Sequence, residues 1–347
     1  MASDVMVTAP QDSETHQVTA EEATPSVRFL EKYGSLWTVV VLAAVVIVFG
    51  ILSPALFTQA GWGAVSKATY EYLPLAIGET FVIITGGIDL SVGAILGFSC
   101  VVAGYVMEHL LGNATGSMFV TVVGFAVGIA VGAACGVVNG IAITKLRLPP
   151  FIVTLATLYA LGGATYIVSE EPIYQIPHQL VTFGQQELLG GWFIAPVLVA
   201  LACIVVFGIF LSRSSFGLRT YAIGSNPVTA ERAGINVSRH LVWVYTLSGA
   251  LAGIAGILVT SNFAQASPLF GNNDELPAIA AVVIGGASLF GGRGNLLGTL
   301  CGTFLIAVLT VGLVLVQVTS FWQEVAIGGA IVLAVTVDQF LRKMSQR

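Results

Sequence analysis

Apolar runs and the residues that break them divide the chain into ten candidate helices. They lie at about 36–54, 69–87, 90–111, 117–143, 150–169, 192–212, 241–261, 275–290, 295–317 and 321–341. Several exceed the ~20 apolar residues that a helix needs to cross a bilayer. The run at 275–290 is short and glycine-rich. Between the runs stand clear breakers: "SPALF", "TKLRLPP", "SEEPIYQIPHQ", "FGGRGN" and the long charged segment "SRSSFGLRTYAIGSNPVTAERAGINVSRH". The pattern predicts an all-α polytopic membrane protein with about ten transmembrane helices, broken or re-entrant at the glycine-rich segments.

The distribution of basic residues orients this set of helices. Cytoplasmic loops are enriched in Lys and Arg. With the N-terminus inside, Arg28, Lys32, Lys145, Arg147, Arg213, Arg219, Arg232, Arg239, Arg293, Arg342, Lys343 and Arg347 all fall inside, and only Lys67 falls outside. Both termini are then cytoplasmic. Residues 1–32 are expected to be a disordered cytoplasmic tail and 33–347 the membrane domain, with a cytoplasmic loop at 213–240. Composition agrees: 56% of residues are hydrophobic, 9% are charged and the mean hydropathy is +0.91, where a soluble domain carries about a quarter charged residues. The net charge of −5 and the lack of any basic tract argue against nucleic acid as a partner.

A few polar residues interrupt the apolar runs. In "FVIITGGIDLSVGAILGF", Asp89 follows Gly86 and Gly87. A charge at the bilayer centre costs a few kcal/mol or more. A turn between the second and third runs removes that cost: the glycines end one helix, and Asp89 or Ser91 accepts backbone N–H bonds at the start of the next. The other reading places Asp89 on a substrate path or its gate. Glu79, mid-run in "LAIGETFVI", has to be protonated, paired or facing water. Glu79, Asp89, Asn139, Tyr159 and Asn262 are the candidate path-lining groups; packing within the helix bundle is the alternative for each. Cys100, Cys135, Cys203 and Cys301 sit in apolar runs without metal-binding spacing and are expected to be packing residues.

The chain has no Gly-Lys-[Ser/Thr] phosphate loop, HExxH pair or GxSxG elbow, which argues against catalysis by this chain. In the basic loop, "NPVTAERAGINVSRH" is predicted to form a short amphipathic helix with Asn226 or Thr229 as cap and Gly234 as stop. Ala230 and Ala233 would offer a small face beside Glu231 and Arg232, suited to a groove on a soluble partner.

Three blocks carry a resemblance: "TGGIDLSVGA" (85–94), "AIGSNPVTAERAGINV" (222–237) and "ELPAIAAVVIGGASLFGGRGNLLGT" (275–299). With them, from about residue 35 onward, the chain resembles permease subunits of bacterial ABC sugar importers of the ribose/xylose/galactose type. These belong to a family that includes branched-chain amino-acid permeases. The resemblance implies a permease in the bacterial inner membrane, without enzymatic activity, that moves a monosaccharide inward. It implies that Asn226, Pro227, Ala230, Glu231, Arg232, Ala233 and Gly234 form a coupling helix against a cytoplasmic ABC ATPase. ATP and Mg would sit on that ATPase, with no cofactor on this chain. It also implies a second permease chain, identical or different, and an extracytoplasmic sugar-binding protein. The latter would dock on the loops at 170–191 and 262–274, with Glu170, Glu171, Asp274 and Glu275 as candidate contacts. A proton-coupled carrier using Glu79 or Asp89 as relay, and an ABC permease for branched-chain amino acids, are the alternative functions. "GGIDLSVGAILG" and "GGASLFGGRGNLLG" look alike and hint at an internal duplication.

Overall fold

A computed structural model describes residues 25–111 and 118–345. Its helices are α1 (Pro25–Leu52), α2 (Gln59–Ile84), α3 (Val92–Leu111), α4 (Met118–Lys145), α5 (Pro150–Val168), α6 (His178–Gln185), α7 (Pro196–Arg213), α8 (Ser215–Ser225), α9 (Pro227–Arg232), α10 (Val237–Phe263), α11 (Glu275–Ile284), α12 (Leu296–Leu315) and α13 (Ser320–Ser345). A two-strand hairpin pairs β1 (Glu187–Leu188) with β2 (Phe193–Ile194). The ten predicted runs reappear in order as α1 to α5, α7 and α10 to α13; α6, α8 and α9 lie in the connections.

Among the described residues, six helices, α3, α4, α5, α7, α10 and α12, are long and apolar enough to cross a membrane. The run at 275–290 needs correction as a span. Its helix has 10 residues, about 15 Å at 1.5 Å per residue, or half the hydrocarbon thickness. Glycine and the turn at 285–295 stop it. Of the expected tail at 1–32, residues 1–24 lie outside those described, and α1 begins at Pro25. α2 begins earlier than its apolar run, because Thr58 caps it by accepting from Gly61 N (3.2 Å) and buried Val65 and Tyr70 hold its first turns in the core.

Packing centres on α2 and α10. α10 contacts α4, α2 and α3, and α2 contacts α12, α7 and α11. Between α4 and α10 the backbones nearly touch. A side-chain carbon on Gly132 would lie 2.1 Å from Gly249 O, and one on Gly249 would lie 2.1 Å from Gly132 O. The sequence explains this approach: Gly124, Gly128, Gly132, Gly136 and Gly140 recur every fourth residue on α4, the last four facing α10 and Gly124 facing Met107 of α3. That repeat was not among the expectations above. Small residues matter here because lipid is as apolar as leucine, so helices associate by close van der Waals packing rather than by escape from water. α5 is the least covered of the six spans, 17% buried, with Phe151, Ile152, Tyr159 and Ile167 exposed.

α2 and α11 stop in the same way. Gly86 N donates to Ile83 O (2.9 Å) and Gly87 N to Val82 O (3.1 Å); Gly286 N donates to Val283 O (2.9 Å) and Ala287 N to Val282 O (3.1 Å). Gly86 and Gly286 take φ of 83° and 92°, the left-handed position that ends a Schellman motif. The internal likeness is therefore real as geometry, but one residue out of the register suggested by the glycine pairs: Gly86 corresponds to Gly286, not Gly285. The last carbonyls find outside donors, Ile84 O from Gly292 N (2.8 Å) and Ile284 O from Thr38 Oγ1 (3.1 Å).

Gly249→Leu drives a side chain into the α4 backbone, an overpacking that costs about 1–3 kcal/mol or more. The thermal midpoint of the protein in mild detergent is expected to fall by several degrees. An unchanged midpoint would contradict the α4–α10 contact.

Candidate functional site

The turn between α2 and α3 holds a buried polar network. Asp89, Ser91, Asn139 and Ser248 are all fully buried. Asp89 Oδ1 accepts from Ser91 N (3.0 Å) and from the Ser91 hydroxyl, and Oδ2 accepts from Ser248 Oγ on α10 (3.2 Å). Ser91 Oγ in turn accepts from Asn139 Nδ2 on α4 (2.8 Å), and Asn139 Oδ1 accepts from Thr157 Oγ1 on α5 (2.6 Å). One carboxyl thus ties the start of α3 to α4, α5 and α10. The helix N-terminus beside it favours negative charge. The expectation that Asp89 or Ser91 would accept a backbone N–H at this junction is met by Asp89 through Ser91 N.

Tyr159 and Asn262 do not join this network. Glu79, fully buried on α2, stands beside Asp89 with its carboxyl facing the Asp89 backbone, but makes no hydrogen bond to the side chains of the network. Tyr159 lies on the open face of α5, 74% exposed. Asn262 stands 14 residues beyond Ser248 on α10, about 21 Å along the helix. There its Nδ2 donates to Gly184 O (2.8 Å) and its backbone O accepts from Gln185 Nε2 (3.2 Å), which clasps α6. The five residues therefore do not form one site; Asp89 and Asn139 do come together, with Glu79 beside Asp89.

At the same end as Asn262, an isolated bridge pairs Ile173 with Ala266 and brings the loops at 170–177 and 264–274 together. Glu170 and Glu171 are exposed. Asp274 is half-buried and Glu275 is buried, 9% exposed. The carboxyl of Glu275 packs by Gly93 at the start of α3, where a side chain on Gly93 would lie 2.8 Å from Oε2. Glu275, one of the candidate docking contacts, faces the helix core in this chain, because the first turn of α11 packs inward.

The opposite end carries α8 and α9. Asn226 Oδ1 caps α9 by accepting from Thr229 N (3.0 Å), and Pro227 fills the first helical position. Gly234 stops the turn with φ of 84° and open space around it. The short helix expected between the cap Asn226 and the stop Gly234 is observed as Pro227–Arg232, and Asn236 then begins α10 by accepting from Arg239 N (2.9 Å). Glu231, Arg232 and Ala233 are exposed, but Ala230 is buried, 4% exposed. The two alanines thus do not share an exposed face. Arg213, Arg219, Arg232, Arg239 and Arg293 are all exposed.

Residues 64–336 match the family model described as "Branched-chain amino acid transport system / permease component". The chain belongs to this family. It is 43% identical over 270 residues to the ribose import permease protein RbsC of Bacillus subtilis (strain 168), covering 76% of this chain and 80% of that one. It is 34% identical over 317 residues to the D-allose transport system permease protein AlsC of Escherichia coli (strain K12), covering 91% and 94%. It is also 34% identical over 281 residues to the fructose import permease protein FrcC of Rhizobium meliloti, covering 77% and 74%. No solved structure matches the chain. The chain is a transport subunit, not an enzyme, and a multi-pass membrane protein.

For this permease, the partners of Asp89 were the part that sequence reasoning missed. Ser248 stands in the small-residue run "TLSGALAGIAG", 159 residues from Asp89, so spacing carried no signal. Asp89→Asn keeps one acceptor oxygen for Ser91, and its amide can donate to the Ser248 hydroxyl. It is expected to lower stability by less than about 1 kcal/mol, whereas Asp89→Ala strands buried partners at about 1–3 kcal/mol. Thermal midpoints of the two variants in detergent test this; equal midpoints would remove Asp89 as the node.

Proposed function

We propose that this chain forms the membrane path of an ATP-driven importer for a neutral monosaccharide of the pentose or hexose class. The observation that carries the reading is the similarity, over most of the chain, to permeases named for ribose, allose and fructose. The family description names branched-chain amino acids. The named relatives separate the two: they are import permeases for three different sugars.

In this reading the helices insert in the inner membrane with both termini in the cytoplasm, the short α11 and the loop before it together completing one passage. The basic end with α8 and α9 docks on an ABC ATPase, which carries the ATP and Mg. Its exposed Arg and Glu side chains flank the capped turn at 226–234, which suits a groove on a soluble partner. At the other end the joined loops with Glu170 and Glu171 receive a sugar-binding protein. A second permease chain covers the open face of α5, and Tyr159 there supplies a hydroxyl to the path between the chains. A sugar's hydroxyls need such modest hydrogen-bonding groups rather than a deep charged site.

Uptake of radiolabelled D-ribose, D-allose, D-fructose and L-leucine by cells expressing the chain with its ATPase and binding protein tests the substrate class. Uptake of at least one sugar, and not of leucine, is expected. Leucine uptake alone would overturn the reading, as would sugar uptake that collapses with the proton gradient while ATP stays high.

The coupling assignment has its own test. Gly234→Val places a β-branched residue at a positive φ, at a cost of about 1–3 kcal/mol confined to an exposed turn. Membrane insertion is expected to be normal, and ATP hydrolysis stimulated by the sugar-loaded binding protein to fall. Unchanged stimulation would place the ATPase contact elsewhere.

A further inference from the structure

α8 is held from three directions. Its Thr220 Oγ1 meets His240 Nε2 at the start of α10 (2.9 Å), and Phe216 stacks on Phe210 of α7 with centroids 5.1 Å apart. Its last turn meets both glycine turns together. Tyr221 OH donates to Gly294 O (2.7 Å) in the turn between α11 and α12. Burial raises the pKa of this phenol above its ordinary range, so it remains a neutral donor.

Gly224 lies where the two turns are bonded to each other through Gly292 N and Ile84 O (2.8 Å). A side-chain carbon on Gly224 would lie 1.7 Å from Ile84 O and 2.6 Å from Gly292 N; one on Gly291 would lie 2.8 Å from Gly224 O and 3.1 Å from Gly86 N. Three backbones are therefore in van der Waals contact with no side chain between them. On the other side, Asn226 alone separates α8 from α9. Its N–H donates to Ala222 O (3.1 Å) and its carbonyl accepts from Ala230 N (3.0 Å), which leaves no slack.

We propose that the last turn of α8 is the coupling element through which a movement of residues 226–234 reaches both glycine turns at once, with Tyr221 and Gly224 as its positioning residues. The proposal rests on the reading that 226–234 meets the ATPase. Close-packed contacts shift as units rather than stretch, so a displacement of α8 moves residues 85–91 and 286–294 together. The first of these turns carries Asp89 and Ser91, whose partners Ser248 and Asn139 lie on α10 and α4, and Ile88, whose carbonyl accepts from Thr154 Oγ1 on α5 (3.3 Å). The signal thus arrives at three helices from one point.

Hydrogen exchange on the permease in complex with its ATPase subunit, with and without ATP and orthovanadate, tests the idea. Parent complexes are expected to show nucleotide-dependent changes at 226–234, 85–91 and 286–294 together, with the Gly292 amide as direct reporter. Tyr221→Phe removes one hydroxyl, and Gly224→Ala wedges the contact; Tyr221→Phe keeps the test open if the alanine variant does not assemble. Both are expected to keep the change at 226–234 and to lose it at the two turns. A merely structural role would instead raise exchange at the turns equally in both states and preserve the nucleotide-dependent difference, which would overturn the proposal. Turns that stay silent in the parent while 226–234 responds would also overturn it. A parent in which 226–234 itself does not respond would overturn the ATPase-contact reading on which it stands.

Discussion

A helix that stops inside a membrane protein leaves its last carbonyls without partners, and in hydrocarbon each unsatisfied group costs several kcal/mol. Much of this fold can be traced to how that debt is met at Ile84 and Ile284. A left-handed glycine turns the chain so that two following N–H groups fold back on each helix end. The remaining carbonyls are then met from a distance in sequence, Ile84 by Gly292 and Ile284 by Thr38. These bonds lock the α2–α3 turn to the α11–α12 turn, and α1 to α11. The two stops share one geometry and differ in the donor that completes each.

Close approach without side chains is the second constraint, and it follows from the same solvent. Water does not drive membrane helices together, so contact area at short range has to hold them. The α4–α10 seam does this with carbonyls opposite bare Cα atoms at Gly132 and Gly249. The same device recurs where Gly224 meets Ile84, but with another consequence. A seam along two full helices is stiff because it is long, whereas a contact of a few atoms at a helix end transmits displacement from the segment beyond it.

Much of the architecture was legible in the sequence, because bilayer thickness writes itself as run length and glycine writes itself as a break. All ten runs became helices, and Asn226 and Gly234 bound α9 as its flanking residues indicated. What was not legible has physical causes. A run of sixteen residues at 275–290 does not declare that only ten are helical, since Gly285 and Gly286 are compatible with a packed span until their φ is known. The direction of Ala230 and Glu275 depends on tertiary packing, which no local pattern encodes. Of the candidate site, Asp89 and Asn139 were found as polar residues in apolar runs, but their common partner Ser91 was read only as a cap.

Those hydrogen bonds bear on what Asp89 can do. Three donors from two serines converge on its two oxygens, and in a low-dielectric interior a carboxyl is retained only where such partners compensate its lost hydration. A group so engaged fixes helices; it would have to break bonds to bind a solute. Its location at the end of α2 rather than mid-span lowers the cost further, since the dipole of α3 and the polar backbone of two turns surround it. Polarity at this position is best understood as the means by which one turn is held to α4, α5 and α10. A neutral solute then has to find its hydrogen bonds on less committed groups, and among the path candidates Tyr159, on the open face of α5, is the one whose side chain the fold leaves exposed.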